Sequence, residues 1–321
     1  MSEVNTGWDR ETSPFHSGER ELQRRLGLEA EQDVIGRKIM RSYMPEQHRA
    51  FFNSLPFLVL GSVDRSGAPW ASAVFGQPGF ANSPNNKRLD IRGDIIAGDP
   101  LSDNITVGSP VSVVGVQLET RRRNRLNATV TAMGASGLEL SVDMSFGNCP
   151  QYIQKRAHSF VERSADAKQE FTDLPKEARR IIRAADTLFV ATHNPHDDQH
   201  DVGGVDVNHR GGRAGFVHVK RNCLTIPDFS GNSLFNSLGN MLVNPVAGLL
   251  FIDFETGDLL QVTGKTTLHW ELTPELADFP GAERGWSVEV THGHIIPNAC
   301  PLVWEFQQLS PRLSGTGRWQ D

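Results

Sequence analysis

Cysteine is scarce in this chain, with three residues in 321, at positions 149, 223 and 300, and no CxxC spacing among them. Thiols so few and so scattered exclude a disulfide-stapled scaffold and a thiolate-rich metal cluster. A surplus of positive charge is also missing: 32 Lys and Arg face 38 Asp and Glu, a formal charge of -6. No global field draws the chain to nucleic acid or to an anionic membrane, so neither is expected as a partner and only local basic patches remain. Every apolar run is broken by Gly, Pro or charge before it reaches the roughly 20 residues of a spanning helix. The opening MSEVNTGWDRETSPF lacks the basic start and apolar stretch of a secretory signal. A soluble, cytoplasmic protein is expected.

What is present is a globular composition, 38% hydrophobic and 22% charged, with many turn residues in its 30 Gly and 18 Pro. The length suits two domains or one large one. Comparing the chain with itself favours two, because landmarks recur in the same order at a spacing of about 130 to 136 residues. PEQHRAFFNSLPFLVL from Pro45 corresponds to PKEARRIIRAADTLFV from Pro175, each a helix opened by proline and followed by a hydrophobic strand. Gly76 to Phe80 matches Gly212 to Phe216, and SPVSVVGVQLET from Ser109 matches NPVAGLLFIDFET from Asn244. Asn148-Cys149-Pro150 and Asn298-Ala299-Cys300-Pro301 close the two copies. Between these landmarks run short Val, Ile, Leu and Phe-rich segments separated by turn residues, which favour antiparallel sheet over βαβ units.

The expected organisation is an N-terminal arm over 1–34, a first unit over 35–160, a second over 172–307 and a polar tail over 308–321. KQEFTDLP is the connector. In the arm, RELQRRLGLEAEQDVIGRKI reads as one or two helices, and residues 1–18 as loose. The fold class expected is mainly β with flanking helices, as two small barrels in tandem, paired within one chain as two subunits pair in a homodimer. A further dimer of chains is left open.

The richest polar region lies in the second copy, in DVNHRGGRAGFVHV (206–219) and LTIPDFSGNSLFNSLGNMLVNP (224–245). Asn208, His209 and Arg210 place donors and one fixed positive charge at a strand end, and Gly211 and Gly212 permit a close turn. The segment GNSLFNSLGNML reads as a helix beginning near Asn232, with Ser233, Asn236 and Ser237 at its opening. Its free amides suit a phosphate, and ordinary helix capping is the competing reading. Arg210 is the stronger anion candidate, since it offers both charge and a guanidinium fork.

The strings FHSGERELQRRLG, FGNCPQYIQKR, DVNHRGGRAGFVHV, IPDFSGNSLFNSLGNMLVNPVAGLLFIDF and LLQVTGKT, in this order over most of the chain, resemble the pyridoxamine 5'-phosphate oxidase-like FMN-binding split-barrel family, in its tandem flavin-nucleotide-binding branch. The resemblance implies two tandem split β-barrel domains and a flavoprotein with FMN as cofactor, its phosphate held by polar strand and helix residues and its ring in a groove between units. Carried onto this sequence, the cofactor surface involves His209, Arg210, Asp228, Asn232, Asn236, Ser237 and Gln261, with Thr263 and Lys265 near its rim. The family's oxidases usually carry an Arg-Lys pair where this chain has the neutral Asn236-Ser237, which weakens any assignment to pyridoxamine phosphate as substrate. The first copy has SAVFGQPGF in place of DVNHRGG and reads as degenerate, completing the groove.

Asn148, Cys149, Tyr152, Lys155 and Arg156, in NCPQYIQKR, are candidates for the opposite wall, with Pro150 opening a helix. Arg121, Arg122, Arg123 and Arg125 read by default as a charged solvent face. His193, His196 and His200 beside Asp197, Asp198 and Asp201 have a metal-ligand composition, but no helix orders them, and a solvated acidic loop needs no ion. His292 and His294 read as polar bonding partners, and no metal is expected. The function expected is an FMN-dependent oxidoreductase with a small-molecule electron donor or substrate and no assignable catalytic side chain. The alternative is a flavin-binding or storage module without turnover.

Overall fold

A computed structural model describes residues 7–134, 137–195 and 204–319. The helical landmarks form where proline fixes the entry. Pro45 caps α3 (Glu46–Asn53) and Pro175 caps α5 (Lys176–Ala184), after the arm has supplied α1 (Ser17–Arg25) and α2 (Glu29–Ile39), with α4 (Leu101–Asn104) between α3 and α5. In α5, Ala178, Ile181 and Ile182 recur at helical spacing and are buried, so one stripe faces the sheet and KEARRIIRA stays polar elsewhere.

The strands of the first copy are β1 (Phe57–Val63), β2 (Pro69–Phe75), β3 (Ala81–Asn85), β4 (Arg88–Ile91), β5 (Asp94–Ile95), β6 (Pro110–Gln117), β7 (Arg122–Gly134) and β8 (Gly137–Asn148). Then come β9 (Lys155–Phe160) and β10 (Gln169–Phe171). The second copy supplies β11 (Thr187–Asn194), β12 (Gly204–Gly211), β13 (His218–Lys220), β14 (Cys223–Phe229), α6 (Asn236–Val243), β15 (Val246–Ile252), β16 (Leu259–His269), α7 (Pro274–Ala277) and β17 (Ala282–Ile296). A last strand, β18 (Leu302–Gln308), pairs with β9.

The first sheet runs β3-β4-β8-β7-β6-β1-β2-β5 and the second, read from its far end, β13-β14-β17-β16-β15-β11-β12. The repeat seen in the sequence is therefore a repeat of strand order. β10 adds to β17, so part of the connector is strand.

Two closed barrels are not what this architecture shows. Among the described residues no ladder joins β3 to β5 or β12 to β13. The terminal strands β5 and β13 have two and three residues, which leaves few backbone groups to complete a ring. The result is two open sheets with bulges in their long central strands, at Asp143 of β8 opposite Asn127/Ala128 and at Thr291 of β17 opposite Thr263/Gly264, which bend them.

Alternation explains why the central strands are hydrophobic on both faces. In β1, Leu58 and Leu60 join the core beneath α3, whereas Phe57 and Val59 join a core shared by both sheets. In β11, Leu188 and Val190 pack on their own side with α5, and Phe189 and Ala191 enter the shared core. Strand β2 lies against β15, and β12 against β6. The shared core takes Phe57, Phe75, Phe189 and Leu250, and each such side chain contributes about 1.5–3 kcal/mol of burial free energy.

The arm is more ordered than its polar sequence suggested. Trp8 and Phe15 are buried, and of the one or two helices expected, two form. Helix α1 crosses α6 so closely that a Cβ on Gly18 would stand 2.3 Å from the carbonyl oxygen of Gly239. The C-terminal residues also dock: Arg213 donates to the carbonyls of Leu313 and Thr316, and the Trp319 indole to that of Phe216. No helix among the described residues is long and apolar enough to cross a membrane.

Candidate functional site

The end of β12 is set by its ladder with β11, which places His209 opposite Phe189 and Arg210 opposite Leu188. Gly211 follows because the main chain of the segment after β8 presses on it: a Cβ there would lie 2.1 Å from the Tyr152 carbonyl oxygen. Strand β14 ends beside it with Asp228. The chain then enters α6 through Ser233 and Phe235, both at positive φ (55° and 59°), and no side chain caps the helix. Left-handed backbone at Tyr152 (φ 49°) brings a third strained position to the same place. These elements enclose a groove of about 790 Å³ including its solvent-open mouth.

Three guanidinium groups face this groove, those of Arg123, Arg210 and Arg284, with Asp228 as the carboxylate among them. Arg123, from β7, donates to the carbonyls of His209 (3.0 Å) and Cys149 (2.8 Å) and thereby ties the two copies together. Burial, with Arg210 beside it, brings its pKa down to about 10, so it stays charged at neutral pH. Arg210 and Arg284 each reach Asp228 at 3.4 Å. Burial raises the Asp228 pKa, while both arginines oppose the rise.

His209 is 2% exposed and neither ring nitrogen has a protein partner. Burial, then Arg123 and Arg210, holds its pKa well below the usual imidazole range, so the ring is neutral. The Nε groups of Arg123 and Arg210 are likewise buried without partners. Buried donors left in this condition are costly unless something satisfies them.

The other wall is aromatic. Phe229 lies 5.2 Å from the Tyr152 ring, whose hydroxyl donates to the Ser230 carbonyl at 2.8 Å, and Phe235 and Phe216 complete the lining.

Of the seven residues proposed for the cofactor surface, His209, Arg210, Asp228, Asn232 and Asn236 line this groove. The Asn236 side chain is already engaged, accepting from Arg125 and donating to Glu19 of α1. Ser237 is buried outside the groove lining and donates to Asp206, itself ion-paired with buried Arg125. Gln261 is elsewhere. It crosses between the sheets, its amide nitrogen donating to the Ala71 carbonyl and the Ser72 hydroxyl and its amide oxygen accepting from His294 Nε2, so its polar groups are spent outside the groove. Thr263 is buried and donates to Ala247, and Lys265 is exposed.

Cys149 and Tyr152 reach the groove as the second wall. Arg156 pairs with Asp186, Lys155 begins β9, and Asn148 ends β8. Pro150 opens no helix; the chain turns there and enters β9.

Two arginines assigned to solvent are buried, Arg123 at 8% and Arg125 at 1% exposure. The alternation of Arg123 and Arg125 was the available signal, since a strand sends both to one face, whereas Arg121 lies in the turn before β7. Arg284 carried no local signal; the ladder of β14 with β17 brings it opposite Asp228. Arg123 of β7 and Arg284 of β17 thus put positive charge in the same groove as the neutral Asn236. His196, Asp197, Asp198, His200 and Asp201 lie outside the described residues, and among the described residues no three His, Cys, Asp or Glu side chains gather to hold a metal ion.

No protein-family model matches the chain, and no curated protein matches it. Among solved structures, a FAD-binding protein from Mesorhizobium loti is similar at 12% identity over 41% of this chain and 99% of its own, with a TM-score of 0.27. A putative 5-nitroimidazole antibiotic resistance protein from Bacteroides thetaiotaomicron is similar at 13% identity over 44% of this chain and 96% of its own, with a TM-score of 0.26. The heme storage protein HutZ from Vibrio cholerae gives 13%, 41%, 96% and 0.24. At such scores these likenesses carry neither fold nor function to this chain.

Proposed function

We propose that the protein is a binding module for a planar aromatic cofactor bearing a phosphate, with FMN as the ligand that suits the groove. The observation that carries this reading is the set of buried donors without protein partners at one end of an aromatic-walled groove. The Nε groups of Arg123 and Arg210 and the ring of His209 lie beside three guanidinium charges and one carboxylate. A phosphate monoester brings acceptors only, which is what arginine donors require. A flavin ring needs a flat apolar slot, which Tyr152, Phe229 and Phe235 are placed to offer. In this reading the units proposed over 35–160 and 172–307 both contribute. The first supplies Arg123 and Tyr152, and the second supplies Arg210 and the opening of α6.

Arg210, Arg123 and the amides at the start of α6 would hold the phosphate, and neutral His209 would add one N–H donor. When bound, the flavin would supply electron-accepting chemistry of its own. The second reading, an FMN-dependent oxidoreductase, draws support from Arg210, whose side chain is 26% exposed and so keeps the groove open to a small donor.

Titration of the purified protein with FMN, followed by flavin fluorescence, tests the binding reading. Arg210→Ala is expected to weaken FMN binding by about tenfold or more, the worth of a charge-assisted hydrogen bond, and to change riboflavin binding little. Equal FMN affinity in both proteins would remove the phosphate role. Stopped-flow reduction of the bound flavin by nicotinamide and thiol donors separates the two readings, since a module gives rates no faster than those of free FMN.

A further inference from the structure

Asp228 places a negative charge inside a groove whose other charged lining groups are arginines. It is 7% exposed at the end of β14, between Arg210 of β12 and Arg284 of β17. Both contacts are 3.4 Å, longer than the roughly 2.7–2.9 Å of a tight guanidinium–carboxylate bond, so neither arginine is fully committed to it.

The two arginines are held very differently. Arg284 stands opposite Asp228 in the β14–β17 ladder, donates to Glu283 at 2.7 Å, and lies over Phe235 and Trp270 at 5.0 and 4.9 Å. It is clamped. Arg210 keeps a buried Nε without a partner, and its side chain reaches the groove mouth. The charged or titratable groups that face the carboxyl are Arg210, Arg284, Glu283 and, from the segment after β8, Tyr152.

We infer that Asp228 is the resident counter-ion of the groove. It holds Arg210 until an incoming phosphate takes that guanidinium over, while clamped Arg284 stays behind to neutralise the carboxylate. This rests on the anion-binding reading above and adds a sign to it. Asp228 opposes the ligand's phosphate, so it is a positioning and regulating residue and not a ligand-holding one. Arg284 acts on the ligand through Asp228.

The test compares the wild type, Asp228→Asn, Arg284→Met and the double variant, each titrated with FMN, with riboflavin, and with inorganic phosphate as competitor. Removing a like charge at this range is expected to tighten FMN and phosphate by about tenfold and to leave uncharged riboflavin unchanged. Arg284→Met is expected to weaken FMN because it leaves Asp228 unneutralised, and Asp228→Asn added to it restores at least the wild-type affinity. Asp228→Ser serves as a second charge-free variant if the asparagine protein fails to fold by its thermal melt. Weaker or unchanged FMN binding in the charge-free variant overturns the counter-ion role while the anion site stands. A wild type that binds neither FMN nor phosphate overturns both.

Discussion

At the scale of single residues, the polar atoms that cross between the sheets carry opposite pH dependences within a few ångströms. His294 is 1% exposed, stacks on Trp70 at 5.4 Å and shares a 2.8 Å hydrogen bond with Gln261. Burial, then Lys168 and His292, lowers its pKa to about 4, with Glu170 opposing. Asp99 is 1% exposed, accepts from the Leu101 amide, and has its pKa raised to about 6 by burial. A base with a depressed folded pKa binds its proton more readily when unfolded, so His294 costs stability as pH falls from its ordinary 6.5 toward 4. An acid with a raised folded pKa works the other way: Asp99 costs stability as pH rises from 3.8 to 6, and the cost persists above that. Asp99→Asn is therefore expected to stabilise the protein at pH 7.5 by up to about 3 kcal/mol, and to change little below pH 4. Urea unfolding at both pH values checks this. An equal shift at the two would show that the carboxyl charge is not the cause.

At the scale of elements, the contact of α1 with α6 sets two effects against each other. Alanine at Gly239 gains roughly 1 kcal/mol of helix propensity. Its Cβ, however, would stand 2.7 Å from the Glu19 backbone nitrogen, and backbone cannot swing aside as a side-chain tip can. Overlap of this kind costs typically about 1–3 kcal/mol, so Gly239→Ala is expected to lower the urea midpoint and to loosen Glu19 from Asn236. A raised midpoint would mean that propensity wins and the helices part freely. The same elements show how much was legible in advance. Helices behind Pro45 and Pro175 were readable because proline fixes the first turn. Arg210, His209 and Asp228 were readable because charge and glycine sit together in short strings. Closure of the sheets was not, since alternation says that a strand pairs and not whether the outermost strands meet. Arg284 was invisible because its role arises only from the β14–β17 register. Gln261 was misplaced because the side of a strand that looks like a pocket wall can equally be a face between sheets.

At the scale of the whole molecule, two sheets with one strand order raise the question of how many ligands a chain holds. The ladders answer it position by position. Arg210 pairs with Leu188 on β11, and the corresponding pair in the first sheet is Val74 with Leu58; His209 with Phe189 corresponds to Ala73 with Val59. Arg123, opposite Val116, corresponds to Leu259 opposite Ile252. The three polar groups that define the groove are thus replaced by Val74, Ala73 and Leu259, all buried in hydrophobic cores. Where buried Arg125 crosses to Asp206, the matching Gln261 crosses to Ser72, with the Asp99 carboxyl beside both, so the second crossing carries no guanidinium and is filled. A phosphate brought there would lose its hydration beside the Asp99 carboxyl, with none of the groove's three arginines to replace it, at a cost of several kcal/mol. FMN titration is therefore expected to saturate at one ligand per chain, and Arg210→Ala to weaken that single event and leave no second one behind. Two equivalents in the wild type, or one unaffected equivalent in the variant, would show that the first sheet keeps a site of its own and that the copies are less unequal than their side chains indicate.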